Sequence, residues 1–202
     1  MGARRSQANR PSDGDDPAAD PLRAEIERLK HDLIQAERQI AELEARADVD
    51  PLLEVLNRRG FERELKRSLA YVARYGTEAA LVFIDLDGFK AVNDRHGHSA
   101  GDALLKAVAR QLTSHVRASD VVGRMGGDEF AVVVWNVGEA KASAKAHELE
   151  RLIEQVEITH GSGPLSVGAS AGIALLKPDL DPAEVLEAAD RAMYARKKVR
   201  RG

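Results

Sequence analysis

The chain has 202 residues, a formal net charge of −3 and 44% hydrophobic residues, enough for one ordinary domain with its own core and an appendage. A charge this close to neutral argues against a protein that grips nucleic acid mainly through bulk positive charge. The sequence contains no cysteine, which excludes disulfides, thiolate metal sites and a cysteine nucleophile and fits a reducing cytoplasm.

No part of the sequence predicts contact with a membrane. The longest apolar runs, Ala79–Ile84 and Ala131–Trp135, fall far short of the roughly 20 residues that cross a bilayer. The first 20 residues contain arginines and acids but no apolar stretch that could serve as a signal peptide. We therefore expect a soluble protein in the cytoplasm.

The N-terminal 49 residues divide into two regions. Residues 1–20 are rich in Pro, Asp, Arg and Ala and lack periodicity, which predicts a disordered segment. Residues 21–49 carry apolar side chains at heptad spacing, which favours a parallel two-stranded coiled coil and hence a homodimer. A helix that packs on its own domain is the alternative. The heptad positions are Leu22, Ile26, Leu29, Leu33, Ala36, Ile40, Leu43 and Ala47.

The pattern of residues 50–202 alternates helices and strands. A Gly-Gly link between two apolar runs is a strong hairpin signal, and Ser99 followed by Asp102 predicts a capping box that opens a helix. Asp181 and Pro182 open the last helix as an N-cap and a first-position proline. In chain order we predict helix 57–75, strand 79–85, loop 86–98, helix 99–116, strands 120–125 and 129–135, helix 138–156, strand 165–176 and a final helix.

Four acidic side chains lie at positions suited to a metal site. Asp85 and Asp87 lie where a buried strand runs out into a loop, and Asp128 and Glu129 directly follow the Gly-Gly link. Carboxylates are suitable ligands for Mg²⁺, which takes one or two from the protein and shares its remaining positions with phosphates. Taken singly, acids after a strand are more often solvated turn residues.

The loop after the strand is suited to binding phosphate. Backbone amides at Gly88 and Phe89 could cradle a phosphate, with Lys90 beside it as a point charge. Metal ions and such a loop together suit phosphoryl transfer, in which the metal neutralises developing charge and the loop positions the nucleotide. The alternatives are an ordinary surface lysine at Lys90 and a capping acid at Asp102.

Several motifs in register resemble the diguanylate cyclases, the GGDEF family. Residues 83–90 are similar to the family's metal and phosphate loop, and residues 93–102 to its guanine-binding stretch. Residues 57–61 resemble its first helix and residues 189–194 its closing helix. The resemblance runs from about Asp48 to Arg201, in the same order and with compatible spacings. The signature itself is matched by Arg124-Met125-Gly126-Gly127-Asp128-Glu129-Phe130.

The resemblance implies a fold and a reaction for residues 50–202. The fold is α+β, with a central, mostly antiparallel sheet flanked by helices, similar to class III nucleotide cyclase and polymerase palm domains. Each domain would bind one GTP, and two domains would face each other. Each 3′-hydroxyl would then attack the other nucleotide's α-phosphate, which yields cyclic di-GMP and two pyrophosphates. The N-terminal coiled coil would hold the two domains together.

The resemblance also implies roles at the metal. Asp85, the backbone carbonyl of Leu86 and Asp128 would hold two Mg²⁺ or Mn²⁺ ions. Asp128 would help to deprotonate the ribose 3′-hydroxyl, and Glu129 would support the same site. Lys90 would stabilise the transition state.

Further roles concern the nucleotide and the product. Asn93 and Asp102 would read the guanine edge and so prefer GTP to ATP. His98 would lie near the nucleotide, and Lys197 and Arg201 would contact the triphosphate. Arg117 and Asp120, five residues before the signature glycines, match the family's Arg-x-x-Asp site for inhibition by cyclic di-GMP.

Two departures from the family pattern stand out. Leu53-Glu54-Val55-Leu56 replaces the usual Leu-Thr-Gly-Leu, and the C-terminal tail lacks the family's glycine before the arginine. The first could alter the guanine pocket or the hinge to the coiled coil without abolishing activity, and the second makes the phosphate roles of the tail less secure. Apart from these departures, two other functions stay open. One is a catalytically silent domain that senses cyclic di-GMP or GTP, and the other is an enzyme that cyclises a single nucleotide. The intact metal and guanine positions favour the diguanylate cyclase.

Overall fold

The computed structural model describes residues 23–35, 48–161 and 163–201, with side chains as far as residue 198. Internal contacts divide the chain into two units, Met1–Glu44 and Ala45–Gly202. Within the described ranges, no helix is both long enough and apolar enough to span a membrane.

The first unit contains a helix, α1, over residues 23–35. The predicted heptad residues Ile26, Leu29 and Leu33 are all exposed on it, and Glu25 pairs with Arg28 on the same helix at 2.6 Å. An exposed apolar stripe agrees with the heptad pattern, while dimerisation through it stays a prediction. The predicted disordered segment 1–20 and the other heptad positions lie outside the described residues.

The second unit contains five helices and six strands among its described residues. The segments with a long helical or strand periodicity form the helices and strands predicted for them. In chain order they are α2 (Arg58–Tyr75), β1 (Ala79–Asp87), α3 (Phe89–His96), α4 (His98–Ser114), β2 (Val121–Gly126), β3 (Glu129–Trp135), α5 (Glu139–Glu154), β4 (Ile158–His160), β5 (Gly163–Leu165), β6 (Gly168–Leu175) and α6 (Pro182–Arg201).

Four strands form the central sheet, in the order β2-β3-β1-β6. Every neighbouring pair in it is antiparallel, which confirms the predicted α+β fold with an antiparallel sheet flanked by helices. In this register Asp85 on β1 lies opposite Glu129 on β3 and opposite Ser170 on β6. The two acidic stretches of the sequence therefore meet at one end of the sheet.

The core has two layers, one on each face of the sheet. Alternate residues of β1 point to opposite faces, so Val82 and Ile84 pack in one layer with α4 and α5. Leu81 and Phe83 pack in the other layer with α2 and α6. Burial on both faces explains the continuous apolar run that predicted this strand.

Helix α6 lies directly on the backbone of β6 at Gly172. A Cβ atom at this position would come within 2.0 Å of the Met193 nitrogen. Only glycine allows so close a contact between helix and strand. The contact determines where the C-terminal half of α6 lies relative to the sheet.

Residues 86–98 do not form the predicted loop. β1 continues to Asp87 because it pairs with Gly168 of β6, and α3 then occupies residues 89–96. Of its eight residues only Phe89 is buried, which is too few to produce a helical periodicity in the sequence. The predicted loop was therefore wrong.

Two local features also differ from the prediction. Ser99 does not cap α4: the N-cap is Gly97, which makes no side-chain capping bond. Asp102 therefore does not close a capping box. The β2–β3 turn consists of Gly127 and Asp128, one residue later than predicted, because the register shifts between Arg124 and Gly126 and pairs Gly126 with Glu129.

The segment before α2, residues 48–57, contains a residue in the left-handed region. Glu54 has a φ of +58° and its side chain is exposed. This conformation costs about 1–2 kcal/mol for a residue with a Cβ atom. Glu54 is thus the residue at which a glycine would relieve backbone strain.

We expect Glu54→Gly to raise the free energy of unfolding by about 0.5–1 kcal/mol, because relief of strain exceeds the entropy that glycine adds to the unfolded chain. Urea-induced unfolding would measure the change. Asn136→Gly is the matched control, since Asn136 has the same φ of +58° but asparagine tolerates this region and should gain only a few tenths of a kcal/mol. A lower stability for Glu54→Gly would contradict the strain.

Candidate metal and nucleotide site

The turn between β2 and β3 lies beside the end of β1. The Leu86 N–H donates a hydrogen bond to the carbonyl of Asp128 over 3.2 Å. Because the N–H and C=O of a strand residue point to the same neighbour, the Leu86 carbonyl also faces the turn. The structure therefore brings together Asp85, Leu86 and Asp128, the three residues for which the sequence predicted metal coordination.

A lysine from the last helix reaches this cluster of acids. The Lys197 ammonium forms an ion pair with Asp85 and lies 3.7 Å from Asp87 Oδ1. The other Asp87 oxygen accepts a hydrogen bond from the Ser170 hydroxyl at 2.7 Å. Lys197 thus supplies a positive charge where the carboxylates crowd together.

Two carboxyl groups at the turn are harder to ionise than usual. Burial, with the negative charge of Asp85 as a second cause, raises the pKa of Asp128. Burial also raises the pKa of Glu129, with Asp85 and Asp128 as further causes. Desolvation and like charges both oppose ionisation, so an added cation would be stabilised here.

The donor atoms fit a hard divalent cation. Asp85 and Asp128 offer carboxylate oxygens and Leu86 a carbonyl oxygen, the ligand types that Mg²⁺ and Mn²⁺ prefer. Among the described residues, no group of three His, Cys, Asp or Glu side chains is arranged to hold a metal. Ions bound here would complete their coordination with water and phosphate oxygens, as Mg²⁺ commonly does.

The N-terminus of α3 lies next to these acids. Gly88 has a φ of +85° and caps the helix, so the backbone turns sharply between Asp87 and Phe89. The Phe89 side chain is buried in the core, which holds the first helical N–H groups in place, and Lys90 is exposed beside them. Free N–H groups at a helix start attract phosphate oxygens, as expected for Gly88, Phe89 and Lys90.

The residues expected to bind guanine lie where α3 meets α4. The Asn93 side-chain oxygen is buried, and no hydrogen-bond partner for it occurs in the described part of the chain. Gly101 makes room for it, because a Cβ atom there would come within 2.0 Å of that oxygen. Asp102 follows Gly101 on α4 and is exposed, as is His98. An unsatisfied amide oxygen is costly, so a rotation of the Asn93 side chain that brings this oxygen to a donor group of a ligand would be favoured.

Arg124 stabilises the turn, a role that the sequence analysis did not predict. Its Nε and Nη2 atoms donate to the Gly127 carbonyl at 3.0 and 2.8 Å, and Nη1 lies 3.1 Å from Asp50 Oδ2. The other Asp50 oxygen accepts the N–H groups of Leu52 and Leu53. One guanidinium therefore ties the signature turn to the segment that precedes α2. The position of Arg124 inside the signature motif is the feature of the sequence that could have indicated this role.

Arg117 and Asp120 border a separate cleft of about 310 Å³ between the end of α4 and α5. Asp120 accepts the N–H groups of Arg117 at 2.9 Å and of Trp135 at 3.1 Å, whereas the Arg117 side chain is exposed. Asp120 thus stabilises a turn and a strand end. Arg117 is available to a ligand.

Of the two residues expected at the triphosphate, only Lys197 can be placed. Its ammonium lies at the acidic cluster, as described above. The Arg201 side chain lies outside the described residues.

Asp128 should lower the stability of the metal-free protein at neutral pH. Its folded-state pKa lies above the ordinary value of 3.8, so the folded protein binds the proton more tightly than the unfolded chain does. The resulting destabilisation is absent below pH 3.8 and grows as the pH rises through the folded-state pKa. We expect Asp128→Asn to be more stable than wild type at pH 7 in chelator, with a smaller difference at pH 4.

Urea-induced unfolding at both pH values would measure this difference. Glu157→Gln serves as the control, because Glu157 is an exposed carboxylate away from the turn. A variant at Asp128 that is less stable than wild type at pH 7 would contradict the argument from desolvation and like charge.

Comparison with known proteins supports what the motifs indicate. The family model described as "Diguanylate cyclase, GGDEF domain" matches residues 47–202. Probable diguanylate cyclase DgcE of Escherichia coli (strain K12) is 39% identical over 172 residues, which is 85% of this chain and 16% of that protein. Diguanylate cyclase TpbB of Pseudomonas aeruginosa (strain UCBPP-PA14) is 36% identical over 165 residues, 80% of this chain and 38% of that protein. The chain thus spans well under half the length of these relatives.

Solved structures show the same fold. A sensory box/GGDEF family protein from Caulobacter crescentus CB15 has a TM-score of 0.70 and 36% identity, covering 75% of this chain and 99% of that one. The coiled coil and GGDEF domain of DgcB from Caulobacter crescentus, in complex with c-di-GMP, has a TM-score of 0.73 and 26% identity, covering 88% and 94%. Since the family model matches more than half of the sequence, the chain belongs to the GGDEF family of diguanylate cyclases.

Proposed function

We propose that this chain is a nucleotidyltransferase that condenses two GTP molecules into cyclic di-GMP and two pyrophosphates. The observation that carries the proposal is the meeting of Asp85, the Leu86 carbonyl and Asp128 beside the helix start at Gly88. Hard oxygen donors and a phosphate-binding backbone lie next to each other there, as phosphoryl transfer requires. Membership of the family supports the same reaction.

In the proposed reaction, bond making and breaking balance without an added oxidant or reductant. The 3′-oxygen of one GTP forms a bond to the α-phosphorus of the other, and the bond to pyrophosphate breaks. The same exchange in the opposite direction closes the ring. Two Mg²⁺ or Mn²⁺ ions, held by Asp85, Leu86 and Asp128, would neutralise charge on the reacting phosphates.

The chain's own side chains would do the remaining work. Asp128 would help to remove the 3′-hydroxyl proton, because it lies at the turn beside Asp85 and the end of β1. Glu129, which lies opposite Asp85 on the neighbouring strand β3, would support the same site. Lys90 and Lys197 would stabilise the negative charge of the phosphates, with Arg201 as a further contact.

Guanine specificity would come from α3 and α4. Asp102 would accept hydrogen bonds from the ring N–H and the exocyclic amine of guanine, a pair of donors that adenine does not present in that arrangement. Asn93, whose oxygen is buried against Gly101, would accept a further bond after its side chain rotates. His98 would border the nucleotide from the exposed start of α4.

A single domain holds only half of this active site, so we propose that the protein acts as a homodimer with one GTP per subunit. The heptad segment, residues 21–49, would raise the effective concentration of the second domain. The exposed stripe of Ile26, Leu29 and Leu33 supports pairing through this helix. The similarity to a solved coiled coil and GGDEF domain supports it further.

The first experiment is incubation with GTP and Mg²⁺, followed by chromatography and mass identification of the products. We expect cyclic di-GMP and pyrophosphate from wild type, with a loss of at least about a hundredfold in Asp128→Asn, since removing a catalytic acid or base costs this much. Unconsumed GTP, with bound product stripped beforehand, would favour the silent sensor. A cyclic mononucleotide would indicate the single-nucleotide reaction.

The same assay tests the dimer. Specific activity should rise with protein concentration, and a fragment beginning at Asp48 should need a higher concentration to reach the activity of the full chain. Equal activity of both proteins at low concentration would show that the heptad helix has no part in bringing the domains together.

We also propose that cyclic di-GMP inhibits the enzyme through the cleft at Arg117. An exposed guanidinium can donate two hydrogen bonds to one guanine edge, and the Lys141 and Lys145 side chains line the same cleft. The relatives of known structure that bind c-di-GMP support such a ligand. Asp120 would accept from guanine N–H groups in addition to its backbone bonds.

Arg117→Ala is the variant that separates inhibition from folding. Because the Arg117 side chain is exposed, its loss should leave the initial rate unchanged while weakening inhibition by added cyclic di-GMP at least about tenfold. Asp120→Ala would also remove the carboxylate that accepts the backbone N–H groups of Arg117 and Trp135, and it should lower the melting temperature. Unchanged inhibition in Arg117→Ala would rule out this cleft as the product site.

A further inference from the structure

A buried carboxylate links three elements behind the candidate site. Glu150 of α5 is only 4% exposed, and its Oε1 atom accepts the Ala171 N–H of β6 at 2.8 Å. Its Oε2 atom accepts a hydrogen bond from Arg196 Nη2 of α6 at 2.9 Å. A buried charge is retained when it is paired and hydrogen-bonded, as this one is on both oxygens.

The same arginine has a second partner. Arg196 Nη1 lies 2.9 Å from His147 Nε2, and His147 Nδ1 lies 2.7 Å from the Ser143 carbonyl. Since the carbonyl can only accept, Nδ1 carries the proton and Nε2 accepts from the arginine. Two side chains of α5 therefore hold one guanidinium of α6.

The next residue on α6 is Lys197, which reaches the acidic cluster. Successive residues on a helix point about 100° apart, so the two side chains reach different neighbours. Arg196 attaches this turn of α6 to α5, and Lys197 reaches Asp85 on β1. The strand that Glu150 contacts also bears Ser170, whose hydroxyl bonds to Asp87 at 2.7 Å. Glu150 thus connects the strand that supplies Ser170 and the helix that supplies Lys197 to Asp87.

We propose that Arg196, held by Glu150 and His147, is a positioning residue for Lys197. Arg196 itself does not touch the metal ligands; its part is to keep the last turns of α6 in place, where helices otherwise fray. This keeps the Lys197 ammonium over the acids and within reach of a bound triphosphate. The inference rests on the proposed function, because it assigns Lys197 to the phosphates of GTP.

A double-mutant cycle tests the coupling. The variants are Arg196→Met, Lys197→Met and the two together, each measured for binding of a non-reacting GTP analogue with Mg²⁺ and for KM and kcat with GTP. We expect Arg196→Met to weaken binding and raise KM roughly three- to tenfold, as for directly coupled neighbours. In the Lys197→Met background the same change should have no further effect, and Arg196→Lys should recover most of the loss.

Arg191→Met is the matched control on the same helix. Arg191 pairs with Glu187 at 2.6 Å, but both side chains are about two-thirds exposed, 68% and 67%, so its removal should leave binding unchanged. Melting temperatures of all variants report on folding separately from binding.

The outcomes separate this inference from the proposed function. If wild type binds the analogue and Arg196→Met binds it equally well, the positioning role is wrong. Losses that multiply in the double variant would show that Arg196 acts independently of Lys197 and would also overturn the role. A wild-type protein that binds no GTP analogue would instead overturn the proposed function on which the inference rests.

Discussion

The crowding of carboxylates at the end of β1 is the constraint on which the rest of the structure depends. Asp85 and Asp87 lie on one strand, and the β2–β3 turn brings Asp128 beside them. Burial and the negative charge of Asp85 raise the pKa of Asp128, which destabilises the folded protein at neutral pH. Nearby cations offset this cost, and Lys197 is the cation of the protein that pairs with Asp85 and lies near Asp87.

Other parts of the fold serve to hold this cluster together. Gly172 lets α6 lie directly on β6, which brings Lys197 to Asp85, a residue 112 positions earlier in the sequence. Arg124 restrains the turn from the opposite side through Gly127 and Asp50. The two apolar layers keep β1 in the middle of the sheet, so the acids at its end have a rigid support. The destabilising charges thus lie where packing on both faces can compensate for them.

Secondary structure could be predicted from the sequence where a pattern repeats over many residues, and it was missed where the pattern is short. Helices of several turns and apolar strands repeat their pattern often enough to be recognised, as α2 and β3 were. Helix α3 has a single buried residue, Phe89, so its sequence lacks helical periodicity and predicts a loop. Ser99 satisfied the local rule for a cap, but Gly97 took that place, because a local motif cannot exclude an alternative start two residues earlier.

The candidate site shows the same division between local and distant signals. Asp85, Asp128 and Asn93 stand in compact motifs, and the resemblance to a family identified them. Arg196 stands in none of these motifs, yet it pairs with Glu150, which lies 46 residues away.

Helical periodicity indicates which face of α6 is apolar, but it carries no information about which charged residue of another helix lies opposite. Such pairs depend on how α5 and α6 are oriented and positioned on the sheet. That placement follows from tertiary contacts such as the one between Gly172 and Met193. The residues proposed to bind the nucleotide can therefore be recognised from the sequence alone. The residues that hold them in position become visible only when the helices are placed on the sheet.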